Sequence, residues 1–148
     1  MSVAAAPQSA SSLLGLPVRV HGSRLGTVAD LLVDTGRWRM LGYVVDCRDD
    51  VERFLPYAAS QPFDDEVSVG SALMLLDDVG FYRARAVAFR AIVGAEIQRF
   101  GRLAGTLVDL VVARTSDVDE LAVDVDGGTQ RIPASGSSIA ASSTASAA

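Results

Sequence analysis

His21 is the only histidine and Cys47 the only cysteine among 148 residues. With Asp46 beside the thiol, they are the groups from which a Cys–His nucleophile would have to be assembled. No local signature accompanies them, so they read as a loop histidine and a strand cysteine. Asp49, Asp50 and Glu52 form one carboxylate cluster, and Asp64, Asp65 and Glu66 another. Hard cations take several carboxylate oxygens, but neither cluster has the alternating spacing of an EF-hand loop, and each reads as a solvated turn. Gly101-Arg102-Leu103-Ala104-Gly105 lacks the Lys-Ser/Thr that follows a phosphate cradle. The sequence therefore points to no catalytic residue, no metal and no cofactor, and the chain is not read as an enzyme.

Binding chemistry is better represented. Arg83, Arg85, Arg90, Arg99 and Arg102 are interleaved with Phe81, Tyr82, Phe89 and Phe100. Arginine and aromatic side chains can stack on and pair with phosphates, so this stripe suits RNA, an anionic lipid surface or an acidic partner. The competing reading pairs these arginines with acidic faces of the fold and pins its parts together. Trp38, between Arg37 and Arg39 at a hairpin tip, is either an exposed anchor for a partner or a ring folded back on the core.

Composition narrows the partner. The formal charge is −5, and all 13 basic residues are arginine. Binding through phosphates needs a basic excess to release counterions, so nucleic acid is disfavoured, and a protein partner or self-association is expected. A lone cysteine fits a reducing cytoplasm. The start of the chain has no apolar signal core, and no run approaches the roughly 18–20 apolar residues of a membrane span.

The elements that must position these residues are short and β-rich. Strands are expected at 18–20, 27–34, 40–47, 53–56 and 66–77 from β-branched runs punctuated by glycine. Turns at Asp34-Thr35-Gly36-Arg37 and Arg48-Asp49-Asp50 join three of them into a meander, which Pro56 ends. Residues 79–93 fit a short helix or an extended linker equally. The Ala/Ser/Thr-rich segments 1–12 and 134–148 are expected to be disordered tails.

Sliding the chain against itself exposes a repeat. Gly26-Thr27-Val28-Ala29-Asp30-Leu31-Leu32-Val33 corresponds to Gly105-Thr106-Leu107-Val108-Asp109-Leu110-Val111-Val112 at an offset of 79. Later blocks match at 78 and 77, ending with Phe54-Leu55-Pro56 on Arg131-Ile132-Pro133. His21 and Cys47 become Phe100 and Val125 in the second copy, which weakens the nucleophile reading further.

The order Leu14-Gly15-Leu16-Pro17-Val18, then Gly26-x-Val28-x-Asp30-Leu31-Leu32-Val33-Asp34, then Leu41-Gly42-Tyr43-Val44-Val45-Asp46, then Leu55-Pro56, resembles the PRC-barrel family. The resemblance implies a mainly β protein: a small antiparallel barrel over 13–77, an arginine-rich linker or short helix over 78–91, and a truncated repeat over 92–133. Gly15, Gly26, Gly94 and Gly105 would be corners, Asp30 and Asp109 would sit at bulges accepting backbone N–H groups, and Pro56 and Pro133 would close ladders. The second copy, without an equivalent of 66–77, should keep an open edge for 79–93 or a second chain to complete. The family's roles in assembling larger complexes imply a non-catalytic scaffold or adaptor that binds a protein. Its ribosome-maturation branch implies the alternative, an RNA-metabolism or ribosome-associated factor working through the arginine stripe.

Overall fold

A computed structural model describes residues 8–140, and the fold is mainly β. The first half contains β1 (Gln8–Ser9), α1 (Ala10–Leu13), β2 (Pro17–Val20), β3 (Ser23–Asp34), β4 (Arg39–Cys47), β5 (Glu52–Pro56), β6 (Ser60–Pro62) and β7 (Val67–Val69). After α2 (Val79–Arg83), β8 (Val87–Ala88) and α3 (Phe89–Ile92) come β9 (Glu96–Arg99), β10 (Arg102–Val112), β11 (Val118–Val125), β12 (Gly128–Pro133) and β13 (Ser137–Ile139). Two sheets result, ordered β5-β4-β3-β2-β7-β6 and β12-β11-β10-β9-β13. One of them is a half-barrel. Among the described residues no helix is long and apolar enough to cross a membrane.

Local chemistry explains the meander. The Asp34 carboxylate accepts from the N–H groups of Gly36 (2.9 Å) and Arg37 (3.1 Å), closing the β3–β4 turn. Pro56 is the last residue paired with β4, and Tyr57–Ala59 then turns as a 3₁₀ helix. The expected strand at 66–77 does not run through. It stops at Val69, the Ser71 hydroxyl accepts from Leu73 N–H (3.1 Å) to start a 3₁₀ turn at Ala72–Met74, and pairing resumes only at Leu76. A serine that offers the backbone a local acceptor competes with the ladder. Residues 79–93 resolve into two short helices with a two-residue strand between them.

The same backbone features recur about 79 residues apart. Positive φ occurs at Gly15 and Gly94, at His21 and Phe100, and at Gly22 and Gly101. Gly15 N–H donates to Val28 O and Gly94 N–H to Leu107 O, both at 2.8 Å. A Cβ at Gly26 would lie 2.6 Å from Asp46 O, and one at Gly105 2.8 Å from Asp124 O, so both strand crossings demand glycine. Register shifts fall between Val28 and Asp30 and between Leu107 and Asp109, placing each aspartate at a bulge.

The halves exchange their leading segments. β1 pairs with β10 (Gln8 with Val112, Ser9 with Val111), while β8 pairs with β3 (Val87 with Val33, Ala88 with Leu32). The two hairpin tips meet at an Arg39–Asp117 bridge, flanked by Met40 N–H to Ser116 O and Val118 N–H to Trp38 O, both 2.8 Å. Shifting each residue by 78 turns one of these bonds into the other, so a local pseudo-two-fold axis runs through the bridge. Val18, Leu31, Tyr43 and Leu55 of the first sheet share one buried cluster with Ile97, Leu107, Leu110 and Leu121 of the second.

The tail expectation needs correction at both ends. Residues 8–12 form β1 and most of α1, with Gln8 and Ala10 buried, and residues 134–140 include β13, with Ala134, Ser137 and Ala140 buried. Small, polar residues suffice there because existing sheet edges supply the hydrogen bonds. The remainder of both expected tails lies outside the described residues. The edge at β9 is filled by β13 (Ser137 on Arg99, Ile139 on Ile97), whereas 79–93 packs on the first half and does not complete the second.

Candidate protein-interaction surface

The two sheets differ most at the strand that ends each meander. In the first half, β5 has a neighbour beyond it. Phe54 N–H donates to Leu76 O and Leu76 N–H to Phe54 O, both at 2.8 Å, and the Tyr82 ring stacks on Phe54 at 3.9 Å. Arg53 adds a bond to Asp77 (2.9 Å), and Leu32, Val44, Phe54 and Val79 make a second buried cluster on that outer face.

In the second half, β12 corresponds to β5 and Arg131 to Phe54. Ala134 N–H donates to Asp119 O (3.0 Å), and the register pairs Leu121 with Ile132 and Val123 with Gln130. Hydrogen-bonded pairs alternate along an antiparallel ladder, so Thr129 and Arg131 direct their N–H and C=O groups away from β11. Among the described residues no other backbone segment meets them. Every residue of β12 is exposed except Ile132 and Pro133's neighbour is turned inward at Ala134. Beside this edge lies a cavity of about 430 Å³ lined by Ser9, Val111, Asp119, Glu120 and Arg131.

The substitutions across the repeat suit an open edge. Leu32, Val44 and Phe54 become Val111, Ala122 and Arg131, exchanging bulk for a smaller and charged surface. The β11–β12 hairpin carries Asp119, Glu120, Asp124 and Asp126 against Arg131 alone. Asp117 and Glu120 lie 3.8 Å from Arg39 and Arg131, while Asp119, Asp124 and Asp126 are exposed.

The arginines singled out from sequence are mostly engaged within the chain. Arg83 pairs with Glu52 (3.1 Å), and Arg85 donates to Phe81 O (2.8 Å) with its guanidinium 3.6 Å from the centre of that ring. Arg90 donates to Ala29 O (2.8 Å). Arg99 donates to Pro133 O, Ser135 O and the Ser137 hydroxyl, tying β9 to the β12–β13 connection. Arg102 is exposed. Thus the stripe binds chiefly backbone carbonyls, and only Arg83 meets a carboxylate, which differs from pairing across acidic faces. Trp38 is buried, and its indole N–H donates to Ser137 O (2.8 Å), so it cannot serve as an exposed anchor in this arrangement.

His21 lines a cavity of about 580 Å³ with Ser60, Gln61, Ser68 and Met74, while the buried Cys47 borders different cavities and points its thiol at Val45 O (3.8 Å). Asp49 and Glu52 of the first acidic cluster are drawn into ion pairs. Both Asp49 oxygens accept from Arg53 (3.1 and 3.0 Å), which lowers the Asp49 pKa and raises that of Arg53. In the second cluster Glu66 pairs with Arg19 (3.4 Å). Among the described residues no group of three or more His, Cys, Asp or Glu side chains is placed to hold a metal ion.

Asp30 and Asp109 play matching parts that sequence only half revealed. Asp30 accepts from Leu31 N–H (2.8 Å) and Arg90 N–H (3.1 Å); Asp109 accepts from Leu110 N–H (2.8 Å) and Ser11 N–H (2.9 Å), with the Ser11 hydroxyl on its other oxygen. Each therefore caps the short helix delivered by the other half. Equal spacing of Ser11 and Arg90 ahead of each repeat was the available signal. Compared with known proteins, the chain matches no family model and no curated protein.

Proposed function

We propose that this chain is a non-catalytic adaptor of the PRC-barrel type, built from two related β units, that binds a protein by adding a strand to the open edge of β12. The observation that carries the proposal is the contrast between β5, whose outward backbone groups are met by Leu76, and β12, whose equivalent groups at Thr129 and Arg131 are met by no other described residue. Exposed edges are templates for strand pairing, and peptide recognition by strand addition uses this geometry. The recurring glycine, bulge and aspartate features support descent of both halves from one unit.

The test is an affinity capture from native cytosol with the intact chain and with Thr129→Pro, each with and without nuclease. Proline removes an outward N–H and is tolerated on edge strands. A protein retained after nuclease and lost with Thr129→Pro is the expected result. Loss of every partner on nuclease treatment would sink the adaptor reading.

A further inference from the structure

We propose that the occupant of the β12 edge is an extended segment of net positive charge, a deduction that rests on the adaptor reading above. The hydrogen-bonding groups of Thr129 and Arg131 are indifferent to the sequence of an added strand, so selectivity must come from side chains beside them. Glu120 and Asp124 lie on the next strand, paired opposite Pro133 and Thr129 respectively, and Asp126 sits in the turn that enters β12. A lysine or arginine placed opposite Thr129 extends across that small side chain toward Asp124 and Asp126. Strands are spaced about 4.8 Å apart, so a long basic side chain can span the intervening one.

The same charges discriminate among other occupants. A second copy would bring four carboxylates and one arginine of this hairpin against an identical set, and like charges across an interface oppose pairing. An acidic or phosphate-bearing ligand meets that field as well. An apolar strand finds no counterpart of the Phe54–Tyr82 stack, because Arg131 and Ala122 occupy the corresponding surface.

The experiment uses short labelled peptides that alternate valine with lysine, with glutamate or with threonine, titrated with the intact chain and followed by fluorescence anisotropy at low and high salt. The lysine peptide should bind at least about tenfold more tightly than the glutamate peptide, and the preference should shrink as salt rises. Asp124→Asn with Asp126→Asn should reduce the lysine preference while leaving threonine-peptide binding unchanged. Thr129→Pro should abolish binding of all three. Amide exchange at Thr129 and Arg131 in the unmodified chain, slowed by bound lysine peptide, gives a readout that does not depend on any variant folding.

Equal binding of lysine and glutamate peptides, both lost with Thr129→Pro, would overturn the charge assignment while leaving the edge reading intact. Binding indifferent to Thr129→Pro, unchanged exchange at the edge, or no binding by any peptide would overturn strand addition and this inference with it. A dimer in sedimentation that dissociates on Thr129→Pro would identify a second copy as the occupant and overturn the proposal.

Discussion

At the residue scale, two stacked tyrosines in the first half differ in one hydrogen bond. Tyr43 and Tyr57 are both buried, with ring centroids 5.7 Å apart, but the Tyr43 hydroxyl meets Ser60 at 2.9 Å whereas the Tyr57 hydroxyl has no partner among the described protein groups. Tyr43→Phe should cost about 1 kcal/mol in denaturant unfolding, and Tyr57→Phe should cost nothing measurable, because only the first removes a net hydrogen bond. Burial raises both phenol pKa values. The unfolded chain then loses its tyrosine protons first, and stability should fall as pH rises through about 10, the unfolded value. Replacing both tyrosines with phenylalanine should flatten that alkaline loss in a pH series of unfolding midpoints. Asp49 has the opposite sign: its lowered pKa makes a contribution that is present above the unfolded carboxylate value and lost as pH falls through the folded one. Both ends of its ion pair with Arg53 are open to solvent screening, so this acid limb should be the smaller effect.

At the element scale, the exchanged helices depend on the aspartates that cap them from the other half. Asp109→Ala removes the acceptor for Leu110 and Ser11, and should destabilise the protein by roughly 1–2 kcal/mol, the usual loss for a helix cap. Faster amide exchange should be concentrated in Gln8–Leu13, while Asp30→Ala should produce the same signature in Val87–Ile92. Acceleration no greater in Gln8–Leu13 than in the core strands would contradict this division. Of the strands carrying these aspartates and their partners, β3 and β4 were legible as β-branched runs separated by turn residues, and β10 and β11 through the repeat. The capping was not, since bulge and helix lie 60 residues or more apart in sequence. β13 was illegible for a different reason: Ser137–Ile139 has little strand preference of its own and is held by pairing with β9 and by Arg99. Trp38 followed the same logic, its indole N–H meeting Ser137, a partner that no local pattern could indicate. At the candidate site, the repeat revealed an unmatched edge, but only the register assigns it to β12 and shows that β9 is covered.

At the scale of the whole molecule, the decisive feature is that the repeats do not have separate cores. Ala10 and Leu13, delivered by the first half, and Phe89 and Ile92, which precede the second, join Leu31, Tyr43, Leu107 and Leu121 in one buried cluster. The exchanged strands and the Arg39–Asp117 bridge add hydrogen bonds that neither sheet satisfies alone. A defect placed in one half should therefore be felt in both. Leu121→Ala deletes a fully buried side chain, and such truncations cost about 2–5 kcal/mol. Far-UV circular dichroism follows both sheets, and Trp38 fluorescence follows the contact between the first hairpin tip and the segment carrying Ser137. The two signals should shift together to a lower denaturant midpoint and remain superimposable, as a single cooperative transition requires. If the units were energetically independent, Leu121→Ala would leave part of the dichroism transition at its original midpoint and split the two probes. Such coupling would also bear on recognition, because a strand added at β12 extends one of the two sheets that share the core. Ligand binding to the folded state alone should raise the unfolding midpoint of both probes equally.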